Sequence, residues 1–103
     1  MRRTIILAVV LSASQPVIAS SPDAWAALKK QAERSCIVAS GLRRPRVSSA
    51  IIFDDTVGVV AMLVTGTFPQ ARLKGATGTS LCLYDRRTRK AVVEEAKGWS
   101  ERP

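Results

Sequence analysis

The chain contains few residues that could form a catalytic or metal-binding centre. None of its 103 residues is a histidine, so Ser-His-Asp and Cys-His arrangements are excluded, along with the most common metal ligand. Its carboxylates include two adjacent pairs, Asp54-Asp55 and Glu94-Glu95, and neighbours in a strand point to opposite sides. A two-carboxylate hydrolase would have to combine side chains from different segments. We predict no catalytic residue, no metal ion and no cofactor.

The two cysteines, Cys36 and Cys82, predict a disulfide bond. The chain has no Cys-x-x-Cys spacing, which is the pattern of many redox and zinc sites. A bridge between them would close a loop of about 47 residues, and the chain-entropy model gives such a loop roughly 4 kcal/mol of stabilisation. Two buried free thiols are the alternative. Because a small domain has a thin core, we expect the bridge.

Basic residues are the most concentrated polar feature of the chain, which has sixteen Lys and Arg against eight Asp and Glu. Two short segments supply seven candidate anion-binding residues: Arg43, Arg44, Arg46, Arg86, Arg87, Arg89 and Lys90. Arg72 and Lys74 add two cations in a glycine-rich segment. Such a surface attracts polyanions, including acidic cell-wall polymers; the alternative is that the loops only keep the protein in solution. The aromatic residues are not interleaved with these clusters, so sequence-specific nucleic-acid binding is not expected.

Residues 1–19 have the composition of a secretory signal peptide. Arg2 and Arg3 precede an apolar run over 5–11, and Val17 and Ala19 are small residues before the expected cleavage site. The run is far shorter than the roughly 20 residues of a transmembrane helix, so we expect no membrane span after cleavage. An apolar first strand or helix is the alternative. We predict a signal peptide over 1–19 and one small domain over 20–103, periplasmic or secreted.

The chain after residue 19 begins with the signals of an amphipathic helix. Ser21 suits the N-cap and Pro22 the first helical position, while Gly41 favours the C-terminal end. The apolar stripe consists of residues at three- and four-residue steps: Trp25, Leu28, Ala32, Cys36 and Ala39. This period is typical of a helix with one buried face.

The pattern changes from helix to strands after Gly41. Pro45 predicts a basic loop, and four β-forming segments follow it over 47–53, 57–64, 79–84 and 91–95. Residues 66–78 are rich in glycine and predict a further loop. We therefore predict an α+β fold in which one N-terminal helix packs on a four-stranded antiparallel β-meander.

The predicted disulfide indicates which strand residues face away from the helix. If Cys82 faces the helix, alternation places Leu81 and Leu83 on the opposite face. We expect apolar residues of the neighbouring strand to join them. The predicted interface consists of five residues: Val60, Met62, Val64, Leu81 and Leu83. A homodimer, or a cover made by the 66–78 segment and the tail around Trp99, would remove this surface from water.

Together these features favour a binding protein over an enzyme. We predict an exported, non-enzymatic binding domain of the bacterial cell envelope, with an anionic polymer or another protein as its partner. A self-associating structural protein of the envelope is the first alternative. A small hydrolase that combines carboxylates from different segments is the second.

Overall fold

In the computed structural model, residues 21–100 are described. The helix α1 (Pro22–Ser40) is followed by five strands: β1 (Arg43–Val47), β2 (Ile51–Ile52), β3 (Val59–Thr67), β4 (Thr77–Asp85) and β5 (Lys90–Glu95). They form one antiparallel sheet in the order β1-β3-β4-β5, with β2 paired to β3 beside β1. The predicted α+β fold, a helix on an antiparallel sheet, is confirmed. The predicted signal peptide, residues 1–19, lies outside the described residues.

The two ends of α1 are formed by the residues that predicted them. Ser21 Oγ accepts a hydrogen bond of 3.0 Å from the Ala24 N–H, which satisfies a backbone donor of the first turn. Gly41 has a φ of 67°, and its N–H donates to the Val38 carbonyl. A glycine adopts this left-handed conformation without steric cost, so the helix ends there. Within residues 21–100, no helix is long and apolar enough to cross a membrane.

The predicted disulfide is present between Cys36 of α1 and Cys82 of β4. Their Cα atoms lie 5.8 Å apart and the two residues are 46 positions apart in the sequence. Both residues are fully buried, and Ala32 of the same helix face is buried with them. The cross-link therefore holds α1 against the middle of the sheet. The predicted apolar stripe is wrong at Ala39, which is exposed.

The register of β3 against β4 corrects the predicted outer surface. Met62 pairs with Cys82, and Val60 pairs with Tyr84. Directly paired residues in an antiparallel sheet share a face, so these side chains lie under α1. Val60, Met62 and Val64 belong to the buried core, and the prediction that they face away from the helix is wrong. Both alternating sets of β3 are apolar, so the sequence pattern did not indicate which set pairs with Cys82.

Leu81 and Leu83 lie on the face away from α1, as alternation from Cys82 requires. Their partners on β3 are Leu63 and Ala61. Leu83 is 38% exposed and Leu81 is half-buried. The sheet therefore has one face covered by the helix and one that the helix does not reach.

Two segments predicted as loops belong partly to strands. Residues 43–47 form the edge strand β1, where Pro45 is tolerated because an edge strand pairs on one side only. Gly66 and Gly78 pair between β3 and β4, and a Cβ at Gly78 would collide with the Phe68 ring. Phe68 packs against the helix-side core. The 66–78 segment thus covers the helix face at Phe68, and the prediction that it covers the opposite face is wrong there.

Candidate anion-binding surface

The two predicted basic clusters lie at opposite ends of the sheet. Arg43 of β1 pairs with Thr67, the last residue of β3. The turn between β4 and β5 begins at Asp85, which pairs with Val59, the first residue of β3. Eight residue steps along a strand correspond to about 26 Å. The clusters therefore form two separate surfaces.

At one end of the sheet, the start of β1 and the connection from β3 to β4 contain cations and no carboxylate. The connection from β3 to β4 starts at Thr67, so it adds its own two cations to the end where β1 begins. We name this group the basic end; it consists of five exposed residues: Arg43, Arg44, Arg46, Arg72 and Lys74. Residues 34–53 and 56–84 contain no Asp or Glu. Among the described residues, none of the five cations has an ion-pair partner.

Two cations of the basic end have left-handed backbone. The φ angle is 48° at Arg44 and 51° at Lys74. Arg44 lies between Arg43 and Arg46, where the pairing of β1 with β3 shifts register, and Lys74 follows the short helix Ala71–Leu73. A side chain in this conformation costs roughly 1–2 kcal/mol per residue, and glycine avoids the steric part of that cost. The chain thus presents cations at two positions that sterically favour glycine.

The other end of the sheet, which we name the turn end, contains three carboxylates beside its cations. Its members are Asp54, Asp55, Asp85, Arg86, Arg87, Arg89 and Lys90. Asp54 Oδ1 accepts hydrogen bonds from Thr56 Oγ1 at 2.6 Å and from Thr56 N at 3.1 Å. The Thr56 hydroxyl, followed by the N–H of Val57, holds the pKa of Asp54 below its usual value of 3.8. This carboxylate therefore organises the turn that leads into β3.

Asp85 has the same function in the turn between β4 and β5. Its Oδ1 accepts hydrogen bonds from Thr88 N at 3.2 Å and Arg87 N at 2.8 Å. The Thr88 N–H, and then that of Arg87, lowers the pKa of Asp85 from 3.8. The Asp85 carbonyl accepts a hydrogen bond from the Arg89 N–H at 2.8 Å, and Arg89 has a φ of 63°.

Arg86 differs from the other predicted anion-binding residues because its guanidinium forms an ion pair with Asp55 of the same chain. Its Nη2 donates to Asp55 Oδ1 at 2.7 Å and to the Phe53 carbonyl at 3.4 Å. The Arg86 N–H donates to the Gly58 carbonyl at 2.9 Å. Its side chain is 18% exposed, against 93% for Asp55. Arg86 therefore ties the two turns together, while Arg87, Arg89 and Lys90 remain exposed.

The sheet face away from α1 is apolar, and the sequence indicated only part of it. We name it the outer face and define it by six residues: Ile51, Leu63, Leu81, Leu83, Val92 and Trp99. Leu63, Leu81, Ile51 and Trp99 contribute to the wall of a groove of about 290 Å³. Ile51 is 62%, Val92 63% and Trp99 59% exposed. The sequence analysis did not assign Ile51 and Val92 to this face. The face on which each side chain lies depends on the pairing register with the neighbouring strand, which composition does not indicate.

The adjacent carboxylates Glu94 and Glu95 lie on opposite faces of the sheet. Glu94 pairs with Leu81 and Glu95 with Ser80, so the two point to opposite faces, as predicted for a strand. In residues 21–100, no group of three or more acidic or cysteine side chains is arranged to hold a metal ion. Comparison with protein-family models, curated proteins and solved structures finds no match to this chain.

Proposed function

We propose that this protein is an exported, non-enzymatic binding domain whose basic end contacts an anionic polymer of the bacterial cell envelope. One observation carries the proposal. Five exposed cations lie together at the basic end, and none of them has an ion-pair partner among residues 21–100. Two of them, Arg44 and Lys74, keep their charged side chains in left-handed backbone, as Arg89 does at the turn end.

The charge distribution supports the basic end over the turn end as the contact surface. At the basic end, the segments that supply the cations lie within 34–53 and 56–84, which contain no Asp or Glu. The carboxylates of Glu94 and Glu95 lie on β5, at the opposite edge of the sheet from β1. At the turn end, three carboxylates offset the cations, and Arg86 is paired with Asp55. A field of one sign attracts a polyanion and raises its association rate, whereas a mixed field partly cancels.

The residue types also suit phosphate, sulfate or carboxylate groups repeated along a polymer. Four of the five cations are arginines, and a guanidinium can donate two parallel hydrogen bonds to one anionic group. Arg43 and Arg46 lie on β1, an edge strand that pairs with β3 alone among the described strands. Its cations are therefore open to an extended partner that runs past this end of the sheet.

The disulfide supports a location outside the cytoplasm. Bonds such as Cys36–Cys82 persist in oxidising compartments and are rare in the cytosol. The signal-peptide composition of residues 1–19 leads to the same expectation. Anionic polymers are abundant components of the bacterial cell envelope. The expected location of the protein and the positive charge of its basic end therefore favour the same class of partner.

Two charge-matched triple variants test the proposal on a heparin column and on vesicles that contain anionic lipid. The first is Arg43→Glu, Arg72→Glu and Lys74→Glu at the basic end; the second is Arg87→Glu, Arg89→Glu and Lys90→Glu at the turn end. Each change alters the net charge equally and leaves Arg86 in place. A cation near an anionic surface contributes about 1 kcal/mol, so losing three weakens binding by about 100-fold or more.

We expect the basic-end variant to lose most retention on heparin at low salt, and the turn-end variant to keep most of it. Stronger binding to vesicles than to heparin would indicate a lipid surface in place of a polymer. Equal losses in the two variants would show that only net charge matters and would overturn the basic end as the contact surface.

A further inference from the structure

We propose that the edge strand β5 pairs with β5 of a second copy of this chain, in an antiparallel register centred on Val92. The pairing joins the two sheets into one, around a two-fold axis perpendicular to them. This inference concerns a different surface from the basic end and does not depend on the proposed function. It is based on the free backbone groups of β5 and on the charges along that strand.

The two edges of the sheet differ in how far they are protected from pairing with another chain. At the β1 edge, Pro45 lacks an N–H, and the pairing with β3 shifts register between Arg43 and Arg46. Prolines and bulges are features by which proteins prevent edge strands from pairing. The strand β5 has neither, because Lys90–Glu95 contains no proline and pairs with β4 without a shift. The β5 edge is therefore a regular template for a further strand.

The hydrogen bonds of the sheet show which backbone groups of β5 are free. The Ala96 N–H donates to the Thr79 carbonyl at 2.8 Å, and bonding to a given neighbour alternates along an antiparallel strand. The even-numbered residues of β5 therefore bond to β4. The residues whose N–H and C=O groups face away from β4 are Ala91, Val93 and Glu95. Among residues 21–100, no strand pairs with this side of β5.

Exposed apolar side chains lie beside this edge on both faces of the sheet. Val92 is 63% exposed on the outer face. On the helix side, Val38 of α1 is 79% exposed and lines a groove of about 370 Å³ together with Ala91. Paired strands lie about 4.8 Å apart, so a second copy at this edge would remove part of both valine side chains from water.

The charges of β5 match in one register that the free backbone groups allow. With Ala91 opposite Val93, Val92 lies opposite itself, and Lys90 lies opposite Glu94, twice by symmetry. The first pair exchanges backbone hydrogen bonds. The other two are non-hydrogen-bonded pairs, in which the side chains approach each other most closely. Opposite charges in such a pair stabilise the sheet.

The neighbouring registers lack this match. Placing Ala91 opposite Glu95 sets Glu94 against Val92, so that carboxylates lie opposite apolar side chains. A further shift in that direction places Glu94 opposite itself, and like charges directly opposite are destabilising. A shift the other way sets Lys90 against Val92. The charges of β5 therefore oppose the other registers and permit the one centred on Val92.

The remaining charges near this edge are compatible with the pairing. Asp85 lies next to Lys90 in the same copy, but its Oδ1 accepts hydrogen bonds from two N–H groups of its own turn. No ion pair joins Asp85 to Lys90 in the described part of the chain. On the helix side, Arg34 lines the groove beside Ala91, to which Glu95 of the second copy is a diagonal neighbour. Because the paired strands are antiparallel, the two basic ends lie at opposite ends of the joined sheet.

Sedimentation of charge variants tests the register. Lys90→Glu and Glu94→Lys should each weaken dimerisation by about tenfold or more, because each places like charges opposite one another in two symmetric contacts. An equimolar mixture of the two single variants should dimerise like the parent, since each copy then meets opposite charges in the other. The double variant should do the same. Arg72→Glu, the same change of charge at the basic end, should leave dimerisation unchanged.

A proline variant distinguishes edge pairing from stacking of the outer faces. The Ala91 N–H faces away from β4, so Ala91→Pro removes no hydrogen bond between β4 and β5 but removes one per copy from the dimer. The variant should be folded in thermal unfolding and monomeric in sedimentation. Val92→Pro is the matched control: it removes a bond to β4 and should lower the melting temperature. A dimeric Ala91→Pro variant would overturn pairing through β5.

The charge variants give a result even where the proline variant is unfolded. A parent that remains monomeric up to about 0.5 mM would overturn the dimer. Single charge variants that dimerise as tightly as the parent would overturn the register centred on Val92. A mixture that dimerises no better than its two components would do the same.

Discussion

The two ends of the sheet have similar numbers of cations but use them differently. At the turn end, Asp54 and Asp85 each organise a turn, and Arg86 ties the turns together through Asp55. At the basic end, five exposed cations have no ion-pair partner among residues 21–100. One end therefore uses its charges to hold the fold, while the other presents them to solvent.

The difference shows that a run of basic residues in a sequence does not by itself identify a binding surface. Arg86 and Arg87 are adjacent, yet Arg86 is largely enclosed and Arg87 is exposed. What separates a structural cation from a free one is the carboxylate that folding brings to it. The predictions below alter each end and measure whether stability or binding changes.

The largest expected effect comes from the cross-link on which both ends depend. Replacing Cys36 and Cys82 together with serine should lower the free energy of unfolding by about 2–5 kcal/mol. The bridge constrains the unfolded chain, and it also joins α1 to the middle of the sheet. Chemical denaturation of the parent and the double variant measures the loss. Equal stability would contradict a structural role for the bridge.

Arg86 should contribute more to stability than any cation of the basic end. Arg86→Ala is expected to cost about 1–2 kcal/mol, because it removes a largely enclosed aliphatic stem as well as an ion pair that is itself worth under 1 kcal/mol. Arg43→Ala, the matched change at the basic end, should stay within about 0.5 kcal/mol of the parent. Urea denaturation of both variants gives the comparison; similar losses would remove the distinction between the ends.

Stability and binding should change in opposite directions at the strained cations. Arg44→Gly and Lys74→Gly should each raise the free energy of unfolding by about 0.5–1 kcal/mol, since glycine accepts the left-handed backbone. The same variants should bind heparin more weakly. Arg72→Gly is the control, because Arg72 lies within the short helix and should gain no stability. Thermal unfolding measures the gain, and its absence would contradict strain at these positions.

The smallest expected effect is the acid sensitivity of the turn end. Asp54 and Asp85 have folded-state pKa values below 3.8, so below about pH 4 the unfolded state takes up protons first and stability falls. The stabilisation is complete at neutral pH and is lost as the pH drops through the folded pKa. Asp54→Asn should therefore differ more from the parent at neutral pH than at about pH 2. Parallel stability curves would show that the Asp54 charge has no effect.

Features decided by local chemistry could be predicted from the sequence. The cap at Ser21 and the end of α1 at Gly41 depend on residues a few positions apart. The pairing of Cys36 with Cys82 needed no geometry, because the chain has two cysteines. The α+β class followed from one helical period and several β-forming segments.

Features decided by register could not be predicted in the same way. Val60, Met62 and Val64 were assigned to the outer surface because both alternating sets of β3 are apolar, and a shift of one residue exchanges the faces. The separation of the two basic clusters by the length of β3 has the same origin, since it depends on which strand ends meet. The left-handed backbone at Arg44 lies where the pairing of β1 with β3 shifts register. No residue type in the segment indicates such a shift, so it could not be predicted from the sequence.

The most direct test of the basic end is an NMR titration of the isotope-labelled protein with a heparin oligosaccharide, because it locates the contact without changing any residue. The basic end predicts the largest shifts for the backbone amides of 43–46 and 71–75, with small shifts for 86–90. Both sets should return to their starting positions as salt is raised, since the contact is electrostatic. The largest shifts at 86–90 would contradict the account.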